Sequence, residues 1–196
     1  KYLTDKLGQD VKIIPLKFTE IEPEVKNGKI DFVLANSAFY AVLREKFGVE
    51  AVATLINSRQ GKALKEFGGV IIVKKGSPIK TIKDIKDKKF MCVKFSSFGG
   101  CHMALREMLD QGVNPKKDCK AYVEGRKHDN VALAVKAGMM DAGTVRSDTL
   151  ERMAGDGTIK MEDFTIINKQ DSDFPFVHST RLYPEWPMAA CKGTPE

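Results

Sequence analysis

Short apolar runs alternate with amphipathic stretches along almost the whole chain, and several amphipathic stretches end at a glycine. Gly28, Gly48 and Gly112 each follow a stretch with helical spacing, where glycine supplies the left-handed backbone that ends a helix. The short apolar runs are typical of buried strands. The predicted elements are strand 11–16, helix 20–27, strand 32–35, helix 38–47, strand 51–56, extended segment 67–73, strand 90–93, helix 99–111, strand 120–123, helix 129–137, strand 142–145, helix 148–154 and strand 164–167. Strands that alternate with helices predict parallel sheets covered by helices.

Two segments of the chain resemble each other. Residues 25–31 (VKNGKID) align without gaps on residues 135–141 (VKAGMMD), and an apolar strand follows each of them. Both combine a glycine helix stop with an aspartate that enters a strand. Two related lobes and independent convergence on good capping both explain the match. If the lobes are related, the loops at 36–37 and 146–147 occupy equivalent strand ends, where open α/β sheets bind ligands.

The composition is that of a soluble globular protein. Of the 196 residues, 42% are apolar and 30% are charged, which excludes collagen, low-complexity disorder and coiled coil. The longest strongly apolar run, residues 70–73, is far too short to span a bilayer. The chain starts without methionine and as if inside a helix, so we expect it to be an excerpt of a longer polypeptide.

The net charge of +6 suits nucleic acid, anionic lipid or small anions as partners. The charges are scattered, and no zinc finger or aromatic RNA-binding signature accompanies them. We therefore expect a solvated, lysine-rich surface and no nucleic-acid partner. Four cysteines, Cys92, Cys101, Cys119 and Cys191, have no spacing that suits a metal site. Composition leaves their pairing open, and the sequence indicates neither a metal nor a cofactor.

The most informative stretch is residues 94–100 (KFSSFGG), which joins a buried strand to a long helix. Free amides and hydroxyls at such a helix start form an anion-binding site, although simple capping by Ser97 also explains the motif. His128 opens the next helix, where protonation is disfavoured and a neutral hydrogen-bond donor would result. Arg146 follows an apolar strand and could bind an oxyanion with two parallel hydrogen bonds, or could form a salt bridge with Asp148.

Catalysis has weaker support in the sequence. Cys101 and His102 are adjacent, but consecutive helical residues do not face each other. Cys101 and His128 could form a nucleophile–base pair only if the fold brings them together. No GxSxG, P-loop or HExxH motif is present. We therefore expect a protein without catalytic residues.

Five segments carry a resemblance to a known family. Residues 31–36, 67–70, 97–100, 141–146 and 178–187 resemble, in order and with similar spacing, the phosphate/phosphonate-binding-protein-like family. The strongest likeness is to its extracytoplasmic sensor domains on bacterial histidine kinases, and it covers nearly the whole chain.

The resemblance implies the type II periplasmic-binding-protein fold. In this α/β fold, two lobes are joined by two crossover strands and enclose a ligand cleft. Lobe one is then residues 1–72 and 166–196, and lobe two is residues 73–165. Lobe one is expected to be incomplete, because the family usually begins with an extra strand and helix and ends with further helices. Cys101 and Cys119 of lobe two depart from the family pattern, which has bulky apolar or aromatic residues at these positions. A disulfide between them and two reduced, buried cysteines are the two alternatives.

The resemblance also implies a function. A sensor domain of this kind binds a small anion in the periplasm and signals to a membrane-anchored kinase region of the same polypeptide. The alternative is a free-standing binding component of a phosphate/phosphonate ABC transporter, whose partner is a permease. A cysteine-dependent enzyme and the effector domain of a transcription regulator are further alternatives.

The implied ligand-binding residues come from both lobes. They are Ser96, Ser97, Phe98, Gly99, His128, Thr144 and Arg146 of lobe two, and Asn36, Ser37 and Tyr40 of lobe one. Phe98 replaces a polar residue of the family's phosphonate-binding triplet, which weakens the case for phosphonate itself.

Overall fold

The computed structural model describes residues 1–194. Within them the α-helices are α1 (Tyr2–Leu7), α2 (Phe18–Lys26), α3 (Ser37–Phe47), α4 (Met103–Asp110), α5 (Pro115–Asp118), α6 (His128–Lys136) and α7 (Thr149–Gly155). The strands are β1 (Phe32–Leu34), β2 (Glu50–Thr54), β3 (Asn57–Arg59), β4 (Lys62–Leu64), β5 (Glu66–Phe67), β6 (Gly69–Lys74), β7 (Lys89–Cys92), β8 (Ala121–Glu124), β9 (Ala142–Arg146), β10 (Phe164–Ile167), β11 (Tyr183–Pro184) and β12 (Pro187–Ala190). Most predicted helices and apolar strands are present, with ends shifted by no more than two residues.

A five-stranded sheet in the order β10-β6-β9-β7-β8 forms the larger core. Residues 69–73 of its strand β6 are all apolar and buried, because both faces of the sheet are covered. Val70 and Ile72 of β6 pack into one cluster with α6 and α7, whereas Ile71 and Val73 pack into another with α4. The helices that follow β7, β8 and β9 all begin at the carboxyl ends of these strands, which brings three helix starts to one edge of the sheet.

A smaller, three-stranded sheet has the order β1-β12-β2. Strand β12, near the end of the chain, lies between two strands from its beginning. Helices α2 and α3 cover the sheet, and Leu43, Val49 and Ala189 are completely buried in its core. The polypeptide therefore leaves this sheet, builds the larger one and returns.

Several features differ from the sequence prediction. Residues 11–16 were predicted as a strand but form none, and the side chain of Ile13 is 84% exposed because no neighbouring strand among the described residues covers it. Parallel sheets were predicted, but the five-stranded sheet is mixed and the three-stranded sheet is antiparallel: β6 runs antiparallel to both β9 and β10, and β12 runs antiparallel to both neighbours. The hairpin of β3 and β4 was not predicted, because its side chains are largely polar.

No helix among the described residues is both long and apolar enough to cross a membrane.

Candidate functional site

The start of the helix after β7 has the geometry of an anion-binding site. A π-helical turn, Phe98–His102, leads directly into α4. Ser97 is its N-cap, and Ser97 Oγ accepts a hydrogen bond from the amide of Gly100 (3.2 Å). Ser97 therefore caps the helix, as one of the two interpretations of the motif predicted. The amides of the first residues of the turn have no acceptor within the helix, and the helix dipole adds positive potential there.

Two aromatic rings flank this helix start. The ring of Phe67 packs so closely on Gly99 that a Cβ at that position would lie 2.7 Å from Phe67 Cε2. Phe98 packs edge-on against Phe67, with ring centroids 6.0 Å apart. Because residue 99 is a glycine, the backbone at the helix start can approach the Phe67 ring closely.

His128 is the first residue of α6 and is held as a neutral imidazole. Its Nδ1 accepts a hydrogen bond from the backbone amide of Arg146 (3.0 Å), so the ring proton lies on Nε2. Burial, and next the positive charge of Arg146, lower the pKa of His128 from 6.5 to about 4. The prediction of a neutral donor at this position agrees with the geometry.

Arg146 ends β9 and is partly neutralised by carboxylates. Its guanidinium binds Glu185 through both terminal nitrogens, and its Nε lies 3.5 Å from Asp148 Oδ1. The guanidinium carbon also lies 4.0 Å from the centroid of the Phe67 ring, within cation–π range. The predicted salt bridge to Asp148 is present, but the partner with the closest contacts is Glu185.

Glu185 is completely buried and lies between the two sheets. Its backbone amide donates to Lys65 O (2.8 Å), and Asn57 donates to its carboxylate (3.3 Å). Ser37 Oγ donates to the carbonyl of Pro184 (2.8 Å), which fixes the backbone next to the glutamate. A buried carboxylate is therefore placed against the guanidinium that was expected to bind an anionic ligand.

Two neighbouring cavities surround these groups. The first, called here the serine pocket, has a volume of about 250 Å³. It is lined by Phe18, Asn36, Arg59, Phe67, Val93, Lys94, Ser96, Ser97, Phe98, Gly99, Gly100, His128, Arg146 and Trp186. Phe18, Asn36 and Trp186 lie in segments that cover or flank the smaller sheet, and most of the other residues belong to the larger sheet or to its loops and helices, so the pocket lies between the two.

The second cavity, called here the arginine pocket, has a volume of about 470 Å³. It is lined by Arg59, Val93, Arg126, Lys127, His128, Asp129, Arg146, Asp148, Thr149 and Arg152. The two pockets share Arg59, Val93, His128 and Arg146 and are therefore adjacent.

Seven of the ten predicted residues line the serine pocket: Asn36, Ser96, Ser97, Phe98, Gly99, His128 and Arg146. The side-chain oxygen of Asn36 already has a partner, because as the N-cap of α3 it accepts a hydrogen bond from Phe39 N (3.0 Å).

The other three residues line neither pocket. Ser37 donates to the backbone that precedes Glu185. The hydroxyl of Tyr40 accepts a hydrogen bond from Ala51 N (3.3 Å), and its ring packs on the core of the smaller sheet. Thr144 is completely buried in the middle of β9, two residues before Arg146.

Sequence reasoning missed Arg59, Glu185 and Trp186. Arg59 ends the first strand of the β3–β4 hairpin. Both residues of the turn, Gln60 and Gly61, have positive φ. The glycine of this turn was the only sequence signal for the hairpin. Glu185 and Trp186 lie in the 178–187 segment that carried part of the family resemblance. Trp186 is the only tryptophan of the chain and lines the serine pocket, so it reports on binding there.

Among residues 1–194, no hydrogen bond joins a cysteine to His128. All four cysteines are free thiols in the structure, so the Cys101–Cys119 disulfide does not form there. Cys101 Sγ lies 2.9 Å from the hydroxyl of Tyr122, and its interaction with Cys92 lowers the pKa of Cys101 while raising that of Cys92. No group of potential metal ligands was found among residues 1–194.

The whole chain, residues 1–196, matches the model of a family described as the periplasmic substrate-binding protein of phosphonate ABC transporters. The chain belongs to this family. The resemblance noted in the sequence is thereby confirmed.

A curated relative is the tetrathionate sensor histidine kinase TtrS of Salmonella typhimurium. It is 29% identical over 192 residues, which are 97% of this chain and 32% of TtrS. The chain therefore spans about a third of the length of that relative.

Solved structures of the family type confirm the fold. XAC2383 from Xanthomonas citri, bound to ATP, has a TM-score of 0.75 at 19% identity, over 98% of this chain and 69% of that one. The binding component of an ABC phosphonate transporter from Pseudomonas aeruginosa has a TM-score of 0.68 at 17% identity, over 100% of this chain and 62% of that one. PhnD1 from Prochlorococcus marinus, in complex with methylphosphonate, has a TM-score of 0.66 at 18% identity, over 98% and 68%. The type II periplasmic-binding-protein fold predicted from the sequence is therefore present.

Proposed function

We propose that this chain is the extracytoplasmic ligand-binding domain of a two-component sensor histidine kinase and that it binds a small oxyanion in the serine pocket. The observation that carries the proposal is the convergence of three donors: the helix start at Ser97, the neutral imidazole of His128 and the guanidinium of Arg146. Each supplies hydrogen bonds or positive charge to the same cavity, which is the chemistry an oxyanion requires.

The sensor assignment is supported by the match to TtrS over almost the entire chain. The name of that relative makes tetrathionate, a sulfur oxyanion, the first ligand to test. The family description supports a ligand-binding role and a periplasmic location. We place kinase activity in a membrane-anchored region outside these 196 residues.

The proposed mechanism is a population shift. We assign residues 1–72 and 166–196 to lobe one and residues 73–165 to lobe two. An anion that contacts both lobes favours the closed state by its difference in affinity for the two states. Asn36 and Trp186 would contribute from lobe one, and Ser97, His128 and Arg146 from lobe two.

Thermal unfolding with an anion panel tests ligand binding. The panel is tetrathionate, thiosulfate, sulfate, phosphate and methylphosphonate, all at one ionic strength. A bound anion at about a hundredfold excess over its dissociation constant should stabilise the native state by about 2.7 kcal/mol. For a chain of this size that is a rise of roughly 5–11 °C in the melting temperature.

Variants connect the shift to the site. Ser97→Ala and Arg146→Ala should each reduce it by the equivalent of about 1.5–3 kcal/mol, typical of hydrogen bonds to charged groups. Arg44→Ala is the matched control, because Arg44 is exposed on α3 and lines neither pocket. If no anion raises the melting temperature, or if Arg146→Ala responds like Arg44→Ala, the proposed site is wrong.

The alternative function is the free-standing binding component of an anion ABC transporter, which the family description favours. The full reading frame distinguishes the two. A membrane span and a kinase domain in the same polypeptide would establish the sensor, whereas a chain that ends soon after this fold, next to permease and ATPase genes, would establish the transporter.

A further inference from the structure

The arginine pocket carries more positive charge than a single oxyanion in the serine pocket requires. Five cationic side chains line it, against the two carboxylates of Asp129 and Asp148. Arg152 pairs with Asp129, and Arg59 lies 3.8 Å from Asp148. Arg126 and Lys127 pair with no carboxylate within residues 1–194. Even with Glu185 counted against Arg146, positive charge remains in excess.

Two guanidinium nitrogens at the junction of the pockets have no hydrogen-bond acceptor. Arg59 Nε and Arg146 Nε are buried from solvent and make no hydrogen bond within the part of the chain that the structure describes, although Arg146 Nε lies 3.5 Å from Asp148 Oδ1. Arg59 and Arg146 line both pockets, so these two side chains lie at the boundary that a ligand extending from one pocket into the other would cross. A buried donor without an acceptor is unfavourable, and a negatively charged ligand would satisfy it.

The loop that carries the unpaired cations is fixed in place. The amide of Arg126 donates to Val93 O (2.7 Å), and that of Gly125 donates to Cys92 O (2.8 Å). Arg126 also has a positive φ of 68°, an unusual backbone conformation for a side chain of this type. The backbone hydrogen bonds hold this conformation and keep Arg126 and Lys127 at the cavity.

From these observations we propose that the ligand is an extended dianion with a negative group at each end. One end binds in the serine pocket, and the other binds in the arginine pocket near Arg126, Lys127 and Arg152. The volume of about 470 Å³ is within the usual range for a small-molecule site. This inference rests on the proposed function, because it requires the first anionic group to bind at the Ser97 helix start.

The test compares single-headed and double-headed anions by titration of Trp186 fluorescence and by calorimetry. Methylphosphonate and sulfate have one anionic centre. Tetrathionate and butane-1,4-disulfonate have a sulfonate at each end, and adipate has a carboxylate at each end. Butane-1,4-disulfonate has no S–S bond and therefore excludes a reaction with thiols as the source of a signal, and adipate shows whether the end groups must be sulfonates.

The decisive variant is Arg126→Gln with Lys127→Gln. It should weaken binding of the two disulfonate-type anions about tenfold or more, because a charged contact is lost at one end, while binding of methylphosphonate and sulfate changes less than about twofold. Lys116→Gln with Lys117→Gln is the matched control, since it removes the same net charge from an exposed, adjacent pair that lines neither pocket.

Each outcome has a separate meaning. Selective loss for the double-headed anions, absent from the control variant, supports the second subsite. Equal loss for single-headed and double-headed anions would show that the arginine pocket supplies only a general positive field, and would overturn the inference. If wild-type protein binds single-headed anions at least as tightly as double-headed ones, only this inference fails. If it binds none of the anions, the proposed function fails and the inference fails with it.

Discussion

At the scale of single residues, His128 connects the site to the stability of the fold. Its folded pKa of about 4 lies below the ordinary value of 6.5. Between these values the unfolded chain binds a proton that the folded chain excludes, so the free energy of unfolding falls as the pH falls from 6.5 to 4. The slope from this one group is at most about 1.4 kcal/mol per pH unit.

Substitution of His128 by Asn isolates this contribution. Asn cannot titrate, and its side-chain oxygen can still accept from the amide of Arg146. The difference in unfolding free energy between wild type and His128→Asn should therefore change between pH 6.5 and pH 4, and stay constant above pH 7.5. Urea unfolding at a series of pH values measures it. A difference that does not vary with pH would show that the folded protein does not exclude the proton.

The residues of the site divide into those that the sequence could reveal and those that it could not. Ser97, His128 and Arg146 lie where a predicted strand meets a predicted helix, so local patterns were sufficient to propose them. Glu185 binds Arg146 across 39 positions of the chain, and Arg59 reaches the cavity from a polar hairpin. Neither has a local hydrophobic pattern that indicates its partner, because contacts of this kind are set by the path of the chain between the sheets.

At the scale of elements, the π-helical turn depends on glycines that are packed tightly. A Cβ at position 100 would lie 2.5 Å from Val93 Cγ2 and 2.9 Å from His128 Cε1. The sequence predicted a helix here, and the structure refines that prediction to a π turn followed by α4. The turn brings the helix start against both the end of β7 and the imidazole.

Gly100→Ala should therefore destabilise the protein by about 1–3 kcal/mol, the usual cost of inserting a group into a packed site. It should also weaken anion binding, because the imidazole of His128 has to move. Gly155→Ala is the control: Gly155 is the last residue of α7, a Cβ there would meet nothing within 4 Å, and the change should stabilise the protein by roughly 0.4–1 kcal/mol. Urea unfolding of both variants measures the two effects, and a neutral or stabilising Gly100→Ala would contradict the packing argument.

The strand predicted at residues 11–16 is absent because it has no partner strand within residues 1–194. A strand requires a neighbour with which to form hydrogen bonds, and apolar side chains alone do not supply one. The reverse holds for β11 and β12, which were not predicted. They form because β5 and the pair β1 and β2 offer exposed edges to the returning chain.

At the scale of the whole molecule, the ion pair of Arg146 with Glu185 joins the end of β9 in the larger sheet to the segment that enters β12 of the smaller one. Glu185 is 0% exposed and the side chain of Arg146 is 11% exposed. A ligand anion and this buried carboxylate need the same guanidinium. The observed affinity for an anion is therefore lower than it would be if Glu185 did not already bind Arg146.

Glu185→Gln should separate two effects of the ion pair, its contribution to the stability of the fold and its competition with a bound anion. Removing one member of a buried ion pair typically costs about 3–5 kcal/mol, because the other charge is left uncompensated. Asp148, 3.5 Å from Arg146 Nε, compensates part of that charge, so we expect a loss near the lower end of this range. An anion that replaces the missing carboxylate then restores stability, so the increase in melting temperature with tetrathionate should be larger in Glu185→Gln than in wild type. Glu22→Gln, which disrupts an exposed pair with Lys46, should change neither quantity measurably. A smaller increase in Glu185→Gln than in wild type would instead mean that Glu185 positions Arg146 for the ligand and does not compete with it.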